Sequence, residues 1–320
     1  MMLKKLIPAA ALLALAGAAH AQVTIYGLAD VGFAKTTTED AAKTNASLKF
    51  GGNSTTRVGM KGSTDLGSGI KGNFQLESSA IDIDGKVATH TIGDTTTAVL
   101  FGRQAWVGAS GAFGEVRAGR QDSVAFQTMI GFDLNGAANT ASASGAAGID
   151  GGLLFTALGT RSVQYIAPTM GGLKIHAGYQ SADTSLAKTV AGGEASAGLG
   201  LTYSTGGLAL AATLTTKNMT GGSDVSAMAA SYDFGILKVA VNYSGTKDSK
   251  GSMIGFVAPV GGVNVGVQRA KNASTEATGT EFFVNKEILK NTTAYADFLS
   301  KKPSSGTGSN AYAVGVIYVF

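Results

Sequence analysis

Basic side chains in a fixed phase with apolar ones carry the clearest chemical signal in this chain. Arg57 and Lys61 alternate with Val58 and Met60. Successive side chains of a β-strand point to opposite faces, so the two cations share the face that the apolar residues leave free. Cations along a polar surface attract anions without reacting with them. The pattern therefore favours electrostatic selection over covalent chemistry.

The same parity applies to two neighbouring stretches. In 22–34 the apolar positions Val23, Ile25 and Val31 share one face, which leaves Tyr26 and Asp30 on the other. Farther along, Arg103 and Trp106 are three residues apart, which places them on opposite faces. Arg103 is thus predicted to face water.

Signals for catalysis are poor. The chain has no cysteine, which excludes disulfides, thiol catalysis and zinc or iron–sulfur sites built on cysteine. Its three histidines (His20, His90 and His176) stand in no His-Glu-x-x-His motif, and no Gly-x-Ser-x-Gly elbow occurs. No enzyme activity, cofactor or metal is predicted. A Ser–His–Asp hydrolase assembled from distant residues is a remote alternative.

The elements that hold the basic residues are alternating strands. The mature chain has high glycine content, only 14% charged residues over the whole sequence, and no apolar run long enough for a transmembrane helix. At 310–320, Tyr312, Val314, Val316, Tyr318 and Phe320 fall on one apolar face. A chain that is apolar in alternation is typical of a transmembrane β-barrel.

Sixteen such strands are predicted, and an even number lets the last strand pair with the first. Tight Gly-rich turns such as 65–69 and 110–113 alternate with longer polar connections such as 36–46 and 84–97. No fixed repeat period supports a β-solenoid, and the small polar second face argues against a soluble sandwich or propeller. The strands are predicted near 22–34, 47–63, 69–82, 99–110, 114–121, 160–168, 172–181, 196–204, 207–217, 223–233, 236–245, 251–258, 262–270, 279–287, 289–300 and 310–320.

The N-terminal segment has the pattern of an export signal. Lys4 and Lys5 precede an apolar stretch, and Ala19-His20-Ala21 is a small-x-small cleavage site. We therefore expect a cleaved signal peptide at 1–21 and a barrel domain at 22–320. Without the two lysines of the signal, the chain has 23 basic and 21 acidic residues. The resulting net charge of +2 gives no argument for nucleic acid binding.

One insertion breaks the rhythm of strands and turns. Residues 121–159 contain no lysine or arginine and three acids, and they are rich in Gly, Ala, Ser and Asn. Connections of this length are uncommon without a function, although a plain surface loop is the alternative.

Four segments in order resemble the trimeric general porins of Gram-negative bacteria, with the neisserial and Burkholderia-type porins as the most similar group. They are Val23–Asp30, Thr56–Gly67, Phe101–Gly108 and Gly114–Gln121, and the terminal Phe320 matches as well. The resemblance implies an all-β, 16-stranded antiparallel barrel with short periplasmic turns and long extracellular loops. It also implies that the third loop, 121–159, folds inward and constricts the pore.

The same resemblance implies function and partners. The implied function is a water-filled channel for passive diffusion of small hydrophilic solutes and ions. The implied assembly is a homotrimer in the bacterial outer membrane, in contact with lipid and lipopolysaccharide. The barrel-assembly machinery would recognise Tyr318 and Phe320. Trp106 is then expected in the aromatic girdle, or else packed at a trimer contact.

Porin selectivity depends on a basic wall that faces loop acids. Carried over by position, Arg57, Arg120 and Arg161 match the family's wall arginines, and Arg103 matches one seen in some members. Asp122 and Asp133 match the acids. Leu28 replaces a lysine of some relatives, and the loop lacks their Pro-Glu-Phe-Gly-like motif.

The basic wall, with Lys61 as a further member, has more cations than the loop has acids. This imbalance predicts a weak preference of the pore for anions. Two functions remain open beside this one. A receptor or adhesin barrel with an incidental pore fits the long loops equally well, and an outer-membrane lipid hydrolase is the remote third.

Overall fold

The fold is described from a computed structural model. The structure describes residues 22–36, 46–79, 83–85, 89–92, 95–136, 140–149, 158–183, 193–217, 223–247, 249–306 and 308–320. The predicted signal peptide at 1–21 lies outside the described residues, as does part of the insertion. Within the described part of the chain, no helix has both the length and the apolar character needed to cross a membrane.

Sixteen antiparallel staves, our term for the full strands of the wall, close into a barrel, as predicted. The last strand pairs with the first through Ala29–Tyr318 and neighbouring positions. Closure gives every stave two hydrogen-bonded neighbours, so no edge remains in the hydrocarbon phase. The strands are β1 (Gln22–Thr36), β2 (Ser47–Phe50), β3 (Arg57–Gly67), β4 (Ile70–Ser79), β5 (Thr89–Ile92), β6 (Thr95–Ala98), β7 (Gln104–Gly111), β8 (Gly114–Asp122), β9 (Leu158–Ile166), β10 (Leu173–Gln180), β11 (Ser196–Thr205), β12 (Leu208–Thr215), β13 (Val225–Asp233), β14 (Lys238–Gly245), β15 (Lys250–Val260), β16 (Val263–Asn272), β17 (Thr278–Leu289), β18 (Thr292–Lys302) and β19 (Ser309–Val319). β2 and β3 together form one stave, and β5 and β6 form none.

Each stave alternates between an exposed apolar face and a covered face. In β17, Phe282 and Val284 are exposed, whereas Glu281 and Phe283 in the alternate phase are buried. An apolar outward face on a closed β-barrel is typical of a surface in contact with lipid, so the outward face of the barrel is its membrane surface. The covered face points inward and consists mainly of small and polar residues.

The second stave is broken, which the sequence did not predict. β2 and β3 pair with the two halves of β1, and 51–56 between them leaves the ladder. Asp30 of β1 explains the break, because its Oδ2 accepts the backbone N–H groups of Asn53 (2.7 Å) and Ser54 (2.6 Å). A carboxylate that binds backbone donors competes with the ladder for them.

Short turns join the staves at one rim. Gly261 and Gly262 both have positive φ (60° and 77°) in the β15–β16 turn, the conformation that a two-residue hairpin requires. On the other rim, β5 and β6 form a separate two-stranded ribbon. The fourth full stave begins at Gln104 rather than near residue 99 as predicted, so Arg103 precedes it.

The insertion contains two short helices, α1 (Val124–Met129) and α2 (Ala143–Ala147), and a 3-10 turn at Ile130–Phe132. Ser123 caps α1 by accepting the Phe126 N–H at 3.1 Å, and Ser142 caps α2 in the same way. α1 lies against β10–β13, and α2 lies against β16–β18. The described part of the insertion therefore runs along the inner wall of the barrel.

Candidate functional site

Two arginines share one carboxylate on the wall formed by β3, β4 and β7. The Arg103 Nε lies 2.5 Å from Glu77 Oε1, and the Arg57 Nε lies 4.0 Å from Glu77 Oε2. The Tyr26 hydroxyl donates to the same Oε2 at 2.8 Å. Glu77 is almost fully buried, while the Arg57 and Arg103 side chains keep 29% and 21% of their surface exposed. The positive groups are therefore the ones that water reaches.

Asp122 belongs to the same group of charges. It interacts electrostatically with Arg103, Arg57 and Glu77, and Gln104 donates a hydrogen bond to its carboxylate. The structure thus brings together three of the residues named from the sequence: Arg57, Arg103 and Asp122. Glu77, which the parity argument missed, binds Arg103 directly, while the Arg57 Nη1 donates to the Thr55 carbonyl at 3.0 Å.

A second basic region lies on the same wall toward the short-turn rim. The Lys61 Nζ is 5.2 Å from the centre of the Tyr26 ring, and the Arg117 guanidinium is 4.4 Å from the Trp106 ring. Arg117 also pairs with Glu115 at 2.7 Å. Together with Arg57 and Arg103 they form what we call the open basic wall: Arg57, Lys61, Arg103 and Arg117.

The prediction for Trp106 was wrong. Its indole is buried beneath the Arg117 guanidinium and lines an inner cavity with Lys61, while Val107 beside it is exposed on the membrane face. Because Arg103 precedes the strand, its phase relative to Trp106 does not follow strand parity. Trp106 is therefore neither in the aromatic girdle nor on an outer contact surface.

Two other arginines named from the sequence make different contacts. The Arg120 Nε donates to the backbone carbonyl of Gly102, next to the β8–β9 bulge. Arg161 follows the outward phase of Val163 and Tyr165, pairs with Asp183 at 2.5 Å and has a half-exposed side chain. Matching by family position did not anticipate the bulge at Gly119–Gln121 or the positive φ of Arg161 (49°).

The neighbouring part of the wall, from β17 through β19 to β1, carries carboxylates in place of cations. Asp30, Glu281 and Asp297 point inward from β1, β17 and β18, with 0%, 0% and 3% of their surfaces exposed. The Tyr295 hydroxyl donates to Asp30 Oδ1 at 2.7 Å. Only Asp30 was placed inward from sequence. The outward phase of Phe282 and Phe298 was the signal that could have placed Glu281 and Asp297 there too.

Two asparagine amides join these carboxylates to the insertion. The Asn135 Nδ2 donates to Glu281 Oε1 at 2.6 Å and to Asp297 Oδ1 at 3.1 Å. The Asn53 Nδ2 donates to Asp297 Oδ2 at 2.9 Å and to Asn135 Oδ1 at 3.2 Å. We call this set the covered acid wall: Asp30, Asn53, Asn135, Glu281, Tyr295 and Asp297.

Asp133 lies beside the covered acid wall. Its Oδ1 accepts from the Gln268 Nε2 at 2.8 Å and from the Asn135 N–H at 3.1 Å. Burial raises the pKa of this loop carboxyl above its usual range. Of the two loop acids named from the sequence, only Asp122 faces the basic residues.

Comparison with known proteins places this geometry in a family. Residues 9–320 match the family model described as Gram-negative porin. The chain is 30% identical to outer membrane porin protein 32 of Delftia acidovorans, over 98% of this chain and 95% of that protein. It is 31% identical to an outer membrane porin protein of Bordetella pertussis, over 77% of this chain and 70% of that one.

A solved structure supports the same assignment. The anion-selective porin from Comamonas acidovorans superposes with a TM-score of 0.77 at 25% identity, over 94% of this chain and all of that one. A mutant of Rh. blastica porin, 14% identical with a TM-score of 0.68 over 93% of this chain and all of that one, shares the fold. The chain therefore belongs to the Gram-negative porin family, as a β-barrel of the bacterial outer membrane that forms a passive channel.

Proposed function

We propose that this channel passes small hydrophilic solutes and ions with a weak preference for anions, and that 121–159 narrows its pore. One observation carries the proposal: the insertion covers Glu281 and Asp297 on the acid wall and leaves Arg57 and Arg103 on the basic wall partly exposed to water. Charges in contact with the pore water set ion preference, whereas buried, hydrogen-bonded charges contribute less. The similarity to a porin described as anion-selective supports the same direction.

The magnitudes are consistent with a weak preference. Two unit charges 4 Å apart in water interact by about 1 kcal/mol, which corresponds to roughly a fivefold change in local ion concentration. Glu77 is shared by two arginines, so it offsets only part of their combined charge. Asp122 offsets a further part. A modest positive potential remains on the open basic wall.

Reversal potentials in a salt gradient test this proposal. The double variant Arg57→Gln and Arg103→Gln removes two exposed cations and should move the reversal potential toward cation preference. Arg269→Gln is the matched control, because Arg269 is exposed on the outer side and donates to Thr280. Clear cation preference of the unchanged protein, or an unaltered reversal potential in the double variant, would contradict the proposal.

We also propose that the barrel has no hydrolase activity. His176 is buried and shares a 2.9 Å hydrogen bond with Gln164. An imidazole engaged with an amide is not aligned as a general base for a serine. Among the described residues, no specific contact favours the receptor or adhesin alternative over the channel.

The assembly proposals concern the homotrimer, the cleaved signal at 1–21, contact with lipopolysaccharide, and recognition of the chain end by the barrel-assembly machinery. Phe320 supports the last of these. Its backbone exchanges two hydrogen bonds with Gly27 (2.9 and 3.0 Å), and its exposed ring stacks on Tyr318 with centroids 6.0 Å apart.

Phe320→Ala keeps both backbone bonds and removes only the ring. If the ring is a recognition signal, the yield of assembled trimer in the outer membrane should fall, while the conductance of the molecules that do assemble stays unchanged. Tyr312→Ala, which removes an exposed ring elsewhere on β19, is the control. Normal trimer yield from Phe320→Ala would remove this role from the ring.

A further inference from the structure

The insertion meets the barrel wall at glycines. α1 lies against Gly178, Gly198 and Gly200 of β10 and β11. On the far side, Ile149 lies against Gly251, and α2 lies against Gly279 of β17. Larger inward side chains, such as Gln268 and Glu281, meet the insertion through hydrogen bonds at their polar ends. The two helices themselves approach the wall most closely at glycines.

The approach at Gly279 leaves no room for a side chain. A methyl group at this position would lie 2.3 Å from the Ala143 carbonyl oxygen and 2.7 Å from the Ala146 Cβ. Ordinary contacts between such atoms are about 3.5 Å, so α2 would have to move inward by roughly 1 Å. The obstructing oxygen belongs to the backbone, and no rotamer change relieves the overlap.

The approach at Gly200 is equally close but involves side chains. A methyl group there would overlap the Thr128 Oγ1, at 2.1 Å, and would lie 3.1 Å from the Val124 Cγ1. At Gly198 the Val124 Cβ would be 3.2 Å away. One face of α1 is thus in contact with backbone that has no Cβ.

Glycines at these wall positions lower the stability of the strands that contain them, so closure of the barrel alone does not explain their presence. Glycine inside a strand weakens it, because it loses more conformational freedom on folding and offers no side chain to pack. A wall built with alanine or serine would close into the same barrel. It would also hold both helices farther into the lumen.

We infer that these wall glycines set how far the insertion projects into the pore and hence set the cross-section of the channel. They are positioning residues: they touch no solute and act through the contacts that they allow to α1 and α2. The inference rests on the proposed constriction by 121–159. It is independent of the proposed anion preference, because no charge is involved.

Single-channel conductance tests the inference. Gly279→Ala should lower conductance per pore and slow the uptake of larger solutes more than that of smaller ones, with the reversal potential unchanged. Gly245→Ala is the control, because Gly245 follows the outward phase of β14 and a Cβ there meets its nearest atoms at an ordinary 3.4 Å. Wild-type conductance and solute cutoff in Gly279→Ala would overturn the inference. Clear cation preference of the unaltered protein would overturn only the anion preference.

The α1 side allows a rescue. Gly200→Ala should lower conductance, and adding Thr128→Ala should restore it, since the hydroxyl that obstructs the new methyl group is then gone. Failure of the double variant to recover conductance lost by the single one would contradict the proposed contact.

A cross-link keeps the test decisive if the alanine variants do not assemble. The chain has no cysteine, so Val124→Cys with Gly198→Cys introduces a single candidate disulfide. The 3.2 Å between the two Cβ positions is close to the range of about 3.5–4.5 Å that a disulfide needs. Oxidation should form the bond, and the conductance of the oxidised variant should equal that of the same variant with free thiols. No bond formation, or a conductance change on oxidation, would show that α1 does not rest on the wall in the open channel.

Discussion

The two walls of this barrel use charge in opposite ways. On the open basic wall, Arg57 and Arg103 share one buried carboxylate and present their guanidinium groups to water. On the covered acid wall, Glu281 and Asp297 point inward equally well but are hidden beneath the insertion. Both walls are rich in ionisable groups, and only one of them faces the pore.

The partners of the charges explain the difference. The hidden carboxylates accept hydrogen bonds from amides, a phenol and backbone N–H groups, all of which are neutral. Neutral donors satisfy a buried carboxyl group but supply no opposite charge, so the wall depends on a closely matched set of donors. The comparison teaches that the insertion sets selectivity by what it covers as well as by what it exposes.

Asn135→Asp gives the strongest test of this comparison. It replaces the amide that bridges Glu281 and Asp297 with a third carboxylate at the same place. A buried charge without a partner costs about 3–5 kcal/mol, which should release the insertion from the wall. The expected result at neutral pH is a lower unfolding midpoint and unstable conductance.

Acidic pH should reverse the effect, since protonation makes the new carboxyl neutral and restores a donor. Asn264→Asp adds the same charge at an exposed position and serves as the control. An Asn135→Asp channel that is as stable as Asn264→Asp at neutral pH would show that the covered acid wall does not hold the insertion.

Asp133→Asn tests a smaller part of the same wall through pH. The pKa of Asp133 is raised in the folded protein, so the native state keeps a proton that the unfolded chain has already lost. Its contribution to stability is therefore greatest at low pH and declines as pH rises above the ordinary carboxyl range. We expect the unfolding midpoint of Asp133→Asn, relative to the unchanged protein, to rise with pH. A difference that stays constant with pH would contradict the raised pKa.

The barrel was predictable from the sequence because strand parity repeats in every stave. Sixteen strands, the closure of β19 on β1 and the inward phase of Tyr26 and Asp30 all follow from alternation with lipid-facing residues. The broken second stave was not predictable, because it depends on where the Asp30 carboxylate finds donors in 51–56. Local pattern specifies the face of a residue and not its partner.

The candidate site was less predictable for the same reason. Parity placed Arg57 inward, and Arg57 and Arg103 both lie beside Glu77. The bulge in β8 and the positive φ at Arg161 shift later positions out of phase. The position of Asp133 depends on how the insertion crosses the lumen, a path that no periodicity encodes. Contacts between segments more than a hundred residues apart decide which charges are covered.

Lys61→Ala sharpens the comparison at its weakest point. Lys61 is exposed on the open basic wall, and its ammonium lies over the Tyr26 ring, a contact worth about 0.5–1 kcal/mol at exposed sites. Because it lies toward the short-turn rim, away from the guanidinium pair at Glu77, we expect a shift of the reversal potential in the same direction as the arginine variant but smaller. Lys286→Ala removes a lysine from the exposed outer phase of β17 and should leave the reversal potential unchanged. A Lys61→Ala shift as large as that of the arginine double variant would move the selective region toward the short-turn rim and away from the wall that faces the insertion.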